Sequence, residues 1–263
     1  MAFNDYINSL LKYGKCCFSI EQAETALKKN RNAILSSIRH LVAKGELVSP
    51  AKGFYAIVPP DYRILGCIPA DHFIPYLMEY WGCRYYAGLL TAASHHGASH
   101  QAVQIFQVVI PNRRRPIICG KVGIQFITNQ HFANTPVQNV FTSKSQLTIS
   151  TPEGTAMDLL NYPRQSGGLN HIVTVLAELQ EAMDPKKLLS LAENNPIFAW
   201  QQRLGYLLEI VGANELAEVL KIHLAKQKRV DYIPLMSGLK IFKEAPRNKV
   251  WKIIENTTVE SDI

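Results

Sequence analysis

The 263-residue sequence has no C-x-x-C pair. Its five cysteines, Cys16, Cys17, Cys67, Cys83 and Cys119, are odd in number and irregularly spaced. That pattern argues against a disulfide framework and against a zinc ribbon, and it predicts reduced, mostly buried thiols. No run reaches the ~18 uncharged apolar residues of a membrane helix. The most apolar stretch, from Val103 to Ile118, is interrupted by Gln104, Gln107, Asn112 and three arginines. The first residues lack a basic segment followed by an apolar one, so the expectation is no secretory signal and a cytoplasmic location. Gly120-Lys121 has no glycine at the spacing a phosphate loop requires, and there is no serine nucleophile elbow. Nothing in the sequence calls for a cofactor or a metal. Charged residues are only 19% of the chain, yet hydrophobic residues are 47%, which excludes a disordered chain and leaves ample core for one large domain or two ordinary ones.

Acid is missing where base is present. From Tyr80 to Pro152 there is no Asp or Glu, while Arg84, Arg113, Arg114, Arg115, Lys121 and Lys144 lie in that stretch. The first sixty residues carry eight Lys/Arg against four Asp/Glu, and the net charge is +7. This distribution favours polyanionic partners.

What is there begins with a helical rhythm at Phe3, Ile7, Leu10 and Leu11, ended by Gly14. Ser19 and Gln22 form a capping box ahead of a short second helix with Ala23, Ala26 and Leu27 inward. Asn30 is a good N-cap for a third helix carrying Ile34, Ile38, Leu41 and Val42 on one stripe, with Gly45 as its stop. Glu46 to Ser49, a tight turn, and Phe54 to Val58 read as a hairpin, and Pro59-Pro60 reads as a linker. Three helices and a hairpin in this order predict a winged helix-turn-helix over residues 1–62.

Residues 63–263 read as a larger mixed domain. Helices are expected at Pro69 to Tyr80, Tyr85 to His96, from about Thr151, at Asn170 to Met183, Pro185 to Asn194, Ala199 to Val211 and Asn214 to Gln227. Strands are expected at Ala102 to Ile110, Val122 to Thr128 and Val137 to Ile149, with a short last one at Trp251 to Glu255. Strands in the middle followed by helices make the fold class α+β.

In a helix-turn-helix the second helix of the pair enters the major groove. With Ile34 at the centre of the buried face, about 100° per residue turns Asn32, Ser36, Arg39 and Ala43 outward and leaves Arg31 on the flank. Asn suits adenine, Arg suits guanine and Ser suits either. Lys28, Lys29 and the wing residue Lys52 are placed for phosphate. The DNA-binding set is therefore Lys28, Lys29, Arg31, Asn32, Ser36, Arg39 and Lys52. A solvated face of an ordinary three-helix unit is the alternative for these positions. Arg113, Arg114 and Arg115, between a strand and Pro116, divide evenly between a solvated turn and a contact to nucleic acid or a partner.

Beyond residue 80 the sequence resembles a family. Tyr85-Tyr-Ala-Gly-Leu-Leu-Thr-Ala-Ala-Ser-His-His-Gly97 resembles a signature of the AbiEi-type antitoxins of type IV toxin–antitoxin systems. Gln104-Ile-Phe-Gln-Val-Val-Ile-Pro111 continues it, and Ser150-Thr-Pro-Glu-Gly-Thr-Ala-Met-Asp-Leu-Leu160 is similar to the family's S-T-P-E-x-T-x-x-D-L motif. Gly167-Gly-Leu-Asn170 and Gln202-Arg-Leu-Gly-Tyr-Leu-Leu-Glu209 follow in order. Gly154 stands where many relatives carry a larger or charged residue. The resemblance implies a non-enzymatic protein that represses its own operon through inverted repeats in double-stranded DNA. It also implies that the chain neutralises a nucleotidyltransferase-like toxin encoded beside it, without needing a stable complex.

Other constellations are weaker. Glu153 and Asp158, five apart, share no helix face, so a nuclease built on them has little support. Thr151 fits a helix cap, with Glu153 at the positive helix end. His96 and His100 have metal-ligand spacing, with His95 and Cys83 near, but Gly97 intervenes and no H-E-x-x-H glutamate is present. Arg203 sits near the exposed side of its helix, where an intramolecular ion pair is expected, and Leu204, Leu207, Leu208 and Val211 form the buried stripe. The rival to an antitoxin is a winged-helix regulator with a ligand-sensing C-terminal domain and no toxin partner.

Overall fold

The computed structural model describes residues 2–98 and 104–259. The fold is mixed α+β, with ten α-helices and three sheets among the described residues. The chain opens with α1 (Phe3–Lys12), β1 (Cys17–Ser19), α2 (Ile20–Leu27), α3 (Arg31–Ala43), β2 (Leu47–Ala51) and β3 (Phe54–Ile57). It continues with α4 (Ala70–Tyr80), β4 (Tyr86–Ala87), α5 (Leu89–His95), β5 (Ile105–Ile110), β6 (Ile117–Cys119) and β7 (Val122–Thr128). Then come β8 (Val137–Phe141), β9 (Gln146–Ser150), α6 (Pro152–Asn161), α7 (Leu169–Leu179), α8 (Pro185–Glu193), α9 (Phe198–Ile210) and α10 (Asn214–Ala225). Three two-residue strands, β10 (Ile233–Pro234), β11 (Arg247–Asn248) and β12 (Ile253–Ile254), close it.

Two compact units result, and neither is one continuous segment. The first comprises Met1–Ala87, Gln104–Gln130 and Asn139–Ile149; the second comprises Gly88–Val103, His131–Gln138 and Ser150–Ile263. In the first unit, β1, β3 and β2 form a small antiparallel sheet in that order, and α1 to α3 pack on it through Phe3, Tyr6, Phe18, Ile34, Ile38, Leu41 and Tyr55. A larger sheet has the order β6-β7-β5-β4-β9-β8. β5 and β7 pair in parallel over six residues, from Ile105 with Gly123 to Ile110 with Thr128. One core joins the two sheets of this unit: Cys16, Cys17, Phe54 and Ala56 lie in the same apolar cluster as Cys67, Phe73, Leu77, Val108 and Ile124.

In the second unit α6 is the central element, packed against α5, α7, α8 and α9, and every residue from Glu153 to Leu160 is buried. α9 and α10 lie side by side, and β12 packs on α9. There the Trp251 indole rests directly over Gly205, leaving no space for even a methyl group. This explains the glycine in the Gln202 to Glu209 block.

Local signals held at several ends. Ser19 accepts from the Gln22 amide at 3.2 Å while the Gln22 side chain accepts from the Ser19 amide at 2.9 Å. Asn30 Oδ1 accepts from the Ala33 amide at 2.9 Å, and Gly45 takes the left-handed conformation (φ +69°) past the end of α3. Other expectations need correction. Tyr85 to His96 is not one helix. Tyr86 and Ala87 pair with Val109 and Val108 as β4, and Gly88, extended, separates them from α5. A fully buried tyrosine at the sheet overrode the helical spacing. Val137 to Ile149 is two strands, because Thr142 and Ser145 close a turn, the Thr142 amide donating to the Ser145 carbonyl at 2.8 Å and the Ser145 amide to Thr142 Oγ1 at 3.0 Å. In α2 the inward partner of Ala23 and Leu27 is Ile20; Ala26 is exposed, as is Val42 in α3. The strand expected from Ala102 is described only from Ile105, since 102–103 lie outside the described residues. β1 and β6, three residues each, carry no alternation long enough to register in sequence.

Replacing Gly205 by alanine forces a methyl into the Trp251 ring. Gly205→Ala is expected to destabilise the chain by about 1–3 kcal/mol despite alanine's higher helix propensity, as measured by chemical denaturation. A neutral or stabilising outcome contradicts the packing.

Candidate nucleic-acid interface

α3 presents two chemically different faces. Ile34, Ile38 and Leu41 are buried, and Asn32, Ser36, Arg39 and Ala43 on the other side are exposed. The helix contains no Asp or Glu. The turn before it is made by Lys28 and Lys29, both exposed, with Lys28 in the left-handed region (φ 51°) as the C-cap of α2. Arg31 is also exposed, but it is engaged: it reaches Glu24 at 3.3 Å and Glu21 at 3.5 Å, both on α2. An exposed pair of this kind is worth about 0–1 kcal/mol.

The hairpin of β2 and β3 carries an irregularity between Val48 and Ala51 and turns at Lys52-Gly53. Lys52 is exposed at its tip. The Tyr80 hydroxyl donates to the Lys52 carbonyl at 3.2 Å, and the Tyr80 ring lies 5.5 Å from that of Phe54. Tyr80 thus props the hairpin from α4. Sequence reasoning missed this; the only signal was an aromatic pair, Tyr80-Trp81, at the start of the acid-free stretch.

The three arginines between β5 and β6 differ from one another. Arg113 and Arg115 are exposed. Arg114 stacks its guanidinium 4.0 Å from the Trp81 ring, which in turn lies 5.9 Å from Phe126. A cation held on an aromatic face keeps its outward edge for hydrogen bonding.

The Ser150 to Leu160 motif has a structural account in the second unit. Thr151 Oγ1 accepts from the Gly154 amide at 3.2 Å and caps α6, as expected. Glu153, only 2% exposed, accepts from the Asp184 amide at 2.8 Å and so ties α6 to the start of α8. Ser150 and Thr155, both fully buried, share a hydroxyl hydrogen bond of 2.7 Å. Asp158, three residues beyond Thr155, is also fully buried. At Gly154 a Cβ would meet the Pro136 carbonyl at 3.0 Å and the Thr135 methyl at 3.1 Å, so the loop lying on α6 dictates that glycine.

His96 Nε2 lies 2.8 Å from the Ser150 carbonyl. His100 lies outside the described residues, and among the described residues no group of three or more His, Cys, Asp or Glu side chains is arranged to hold a metal. Arg203 corrects the sequence expectation. Among the described residues it makes no ion pair; its Nε donates to the Pro234 and Leu235 carbonyls at 3.1 and 3.0 Å and its Nη2 to Pro234 at 3.0 Å. It is a half-buried clamp on β10. Val211 is likewise half-buried at the end of its stripe.

Burial holds the His96 ring below its ordinary pKa, opposed by the Ser150 carbonyl. Burial does the same for His72, opposed by Asp71. Both groups stay neutral in the folded chain at a pH where the unfolded chain takes up protons, near pH ~6.5. The unfolded state then binds more protons, and stability falls as pH drops below about 6.5. Melting temperature is expected to decrease from about pH 7.5 to 5.5, with a shallower decrease in His96→Gln. A flat profile contradicts this.

The comparisons with known proteins bear on these elements. No curated protein matches the chain. A solved structure, described as the crystal structure of the RV2827C protein from Mycobacterium tuberculosis, matches with a TM-score of 0.66 at 18% identity, covering 94% of this chain and 89% of that one. At that identity it shows a shared fold. No described helix is long and apolar enough to cross a membrane. Residues 86–210, from β4 through α9, match the AbiEi antitoxin C-terminal domain. Over these residues the chain is similar to that domain, and the match supports an AbiEi-type antitoxin.

Proposed function

We propose that this chain is an antitoxin and a DNA-binding autorepressor of its own operon. Residues 1–62 act as a winged helix-turn-helix with α3 as the reading helix and the β2–β3 hairpin as the wing. Residues 63–263 counter a nucleotidyltransferase-like toxin encoded in the same operon. The observation that carries the DNA reading is α3 itself: an acid-free helix with a polar outward face, entered through Lys28 and Lys29. What supports the antitoxin reading is the matched domain at residues 86–210.

In this reading Asn32, Ser36 and Arg39 meet base edges in the major groove of an inverted repeat. Lys28, Lys29 and Lys52 bind phosphate, and Arg31 exchanges its glutamates for phosphate. Arg113, Arg114 and Arg115 add backbone contacts, with Arg114 presented from the Trp81 face. Phosphate contacts set register and base contacts set sequence.

Binding of the full chain to its upstream DNA, followed by fluorescence anisotropy across a salt series, tests the first role. The double variant Lys28→Ala, Lys29→Ala is expected to weaken binding and lower the magnitude of the salt slope by about 2. Arg39→Ala is expected to relax preference at one base pair by about 1–3 kcal/mol. Unchanged affinity and slope remove α3 as the reading helix. For the second role, the adjacent open reading frame is expressed with and without the full chain. Growth arrest by the neighbour and rescue by the chain are expected, and rescue persists in the Lys28→Ala, Lys29→Ala variant. A harmless neighbour overturns the antitoxin role and leaves a DNA-binding regulator.

A further inference from the structure

Four of the five thiols, from distant parts of the sequence, are gathered in one place. Cys16, Cys17, Cys67 and Cys119 are all buried and all belong to the same apolar core of the first unit. They form two contacts. Cys16 Sγ lies 3.7 Å from Cys17 Sγ, and the Cys67 and Cys119 thiols are near enough for each to shift the other's pKa. Neither the DNA-binding face nor the α6 motif uses them.

The two contacts differ in what the backbone permits. Cys16 and Cys17 are adjacent, and no peptide bond among the described residues is cis. Their Cα atoms therefore sit about 3.8 Å apart, short of the ~4.4–6.8 Å a disulfide spans. Cys67 and Cys119 lie on segments that cross at Gly66 and Gly120. The Lys121 amide donates to the Leu65 carbonyl at 2.7 Å, and Gly66 lies opposite Gly120, so closely that a Cβ on Gly120 would collide with the Gly66 backbone. The same register sets Cys67 opposite Cys119. A disulfide spans ~4.4–6.8 Å between Cα atoms, and the contact of Gly66 with Gly120 one residue away holds the Cys67 and Cys119 backbones near one another. Gly66 (φ +68°) and Gly120 (φ +58°) both lie in the left-handed region, and it is this close glycine-on-glycine crossing that brings the flanking cysteines together.

We infer that Cys67 and Cys119 are a reversible oxidation site, closing to a disulfide in the presence of a hydroperoxide and reopening with a thiol reductant. The inference is independent of the proposed function. Cys119 ends β6, a three-residue strand at the edge of the larger sheet. The neighbouring Cys67 thiol pushes the Cys119 pKa down, while Cys119 and burial push the Cys67 thiol up. In the first step Cys119 sulfur attacks a peroxide oxygen, the O–O bond breaks, and the leaving hydroxide departs as water with the Cys119 proton. A sulfenic acid remains. Cys67 sulfur then attacks that sulfur; the S–S bond forms, the S–O bond breaks, and hydroxide leaves as water with the Cys67 proton. Two thiols and one hydrogen peroxide give one disulfide and two waters. The bond ties the segment before α4 to the β6–β7 turn, and β6 packs beside β2, the first strand of the Lys52 hairpin.

The test treats the full-length protein with hydrogen peroxide, alkylates after unfolding, and maps peptides by mass spectrometry. A Cys67–Cys119 cross-linked peptide is expected, lost on dithiothreitol treatment and absent in Cys67→Ala. The oxidised native protein is expected to melt roughly 5–10 °C above its reduced form. Full alkylation of both cysteines after peroxide overturns the inference. So does a Cys16–Cys17 disulfide in place of the cross-link, or Cys119 recovered as sulfinic acid. The native peptide map decides by itself, so a variant that fails to fold does not blunt the test.

Discussion

From Glu153 to Leu160 α6 has no solvent face, and most of the second unit follows from that. A helix enclosed by α5, α7, α8 and α9 cannot leave the amides of its first turn to water. Thr151 therefore caps it, and the carboxylate of Glu153, drawn to the positive helix end, reaches the Asp184 amide. Ser150 and Thr155 satisfy each other, and the chain crossing at Thr135 and Pro136 requires Gly154 to have no side chain. The residues that read most like chemistry in the sequence are those a buried helix start demands. Leaving any of these polar groups without a partner costs about 1–3 kcal/mol, enough to make the pattern strict.

The first unit depends on a shared core rather than on a linker. Cys16, Cys17, Phe54 and Ala56 pack into the same cluster as α4 and the larger sheet, so residues on both sides of Pro59-Pro60 are held by one set of contacts. Tyr80 adds a polar tie from α4 to the hairpin backbone. The hairpin that carries Lys52 is thus supported from behind, and a charge at its tip stays in a defined place. Arg114 follows the same logic on a neighbouring loop, since Trp81 supplies the platform that orients it. In contrast, Lys28, Lys29 and Arg39 stand on α3 and its entry turn with no acidic residue on that helix, which keeps their field outward.

Much of the fold was legible because its signals are local. Capping at Ser19, Asn30 and Thr151 needs only side chains within three residues of the amides they satisfy, and Gly45 stops α3 because its φ of +69° suits glycine. The outward face of α3 was legible too, because its 3.6-residue period shows directly which residues Ile34 opposes. Family-like blocks marked the matched residues 86–210 but not the reason for them.

The amino-acid order alone therefore determined the helix ends, the acid-free basic stretch and the two-faced α3, all set by neighbours in sequence. Tertiary structure decided the rest. It made Tyr86 a strand residue rather than part of a helix, turned Arg203 to the carbonyls of Pro234 and Leu235 instead of a carboxylate, and put Cys67 opposite Cys119. It also set Trp251 on Gly205. Each of these depends on a partner distant in the chain, and no local propensity encodes which distant segment will arrive.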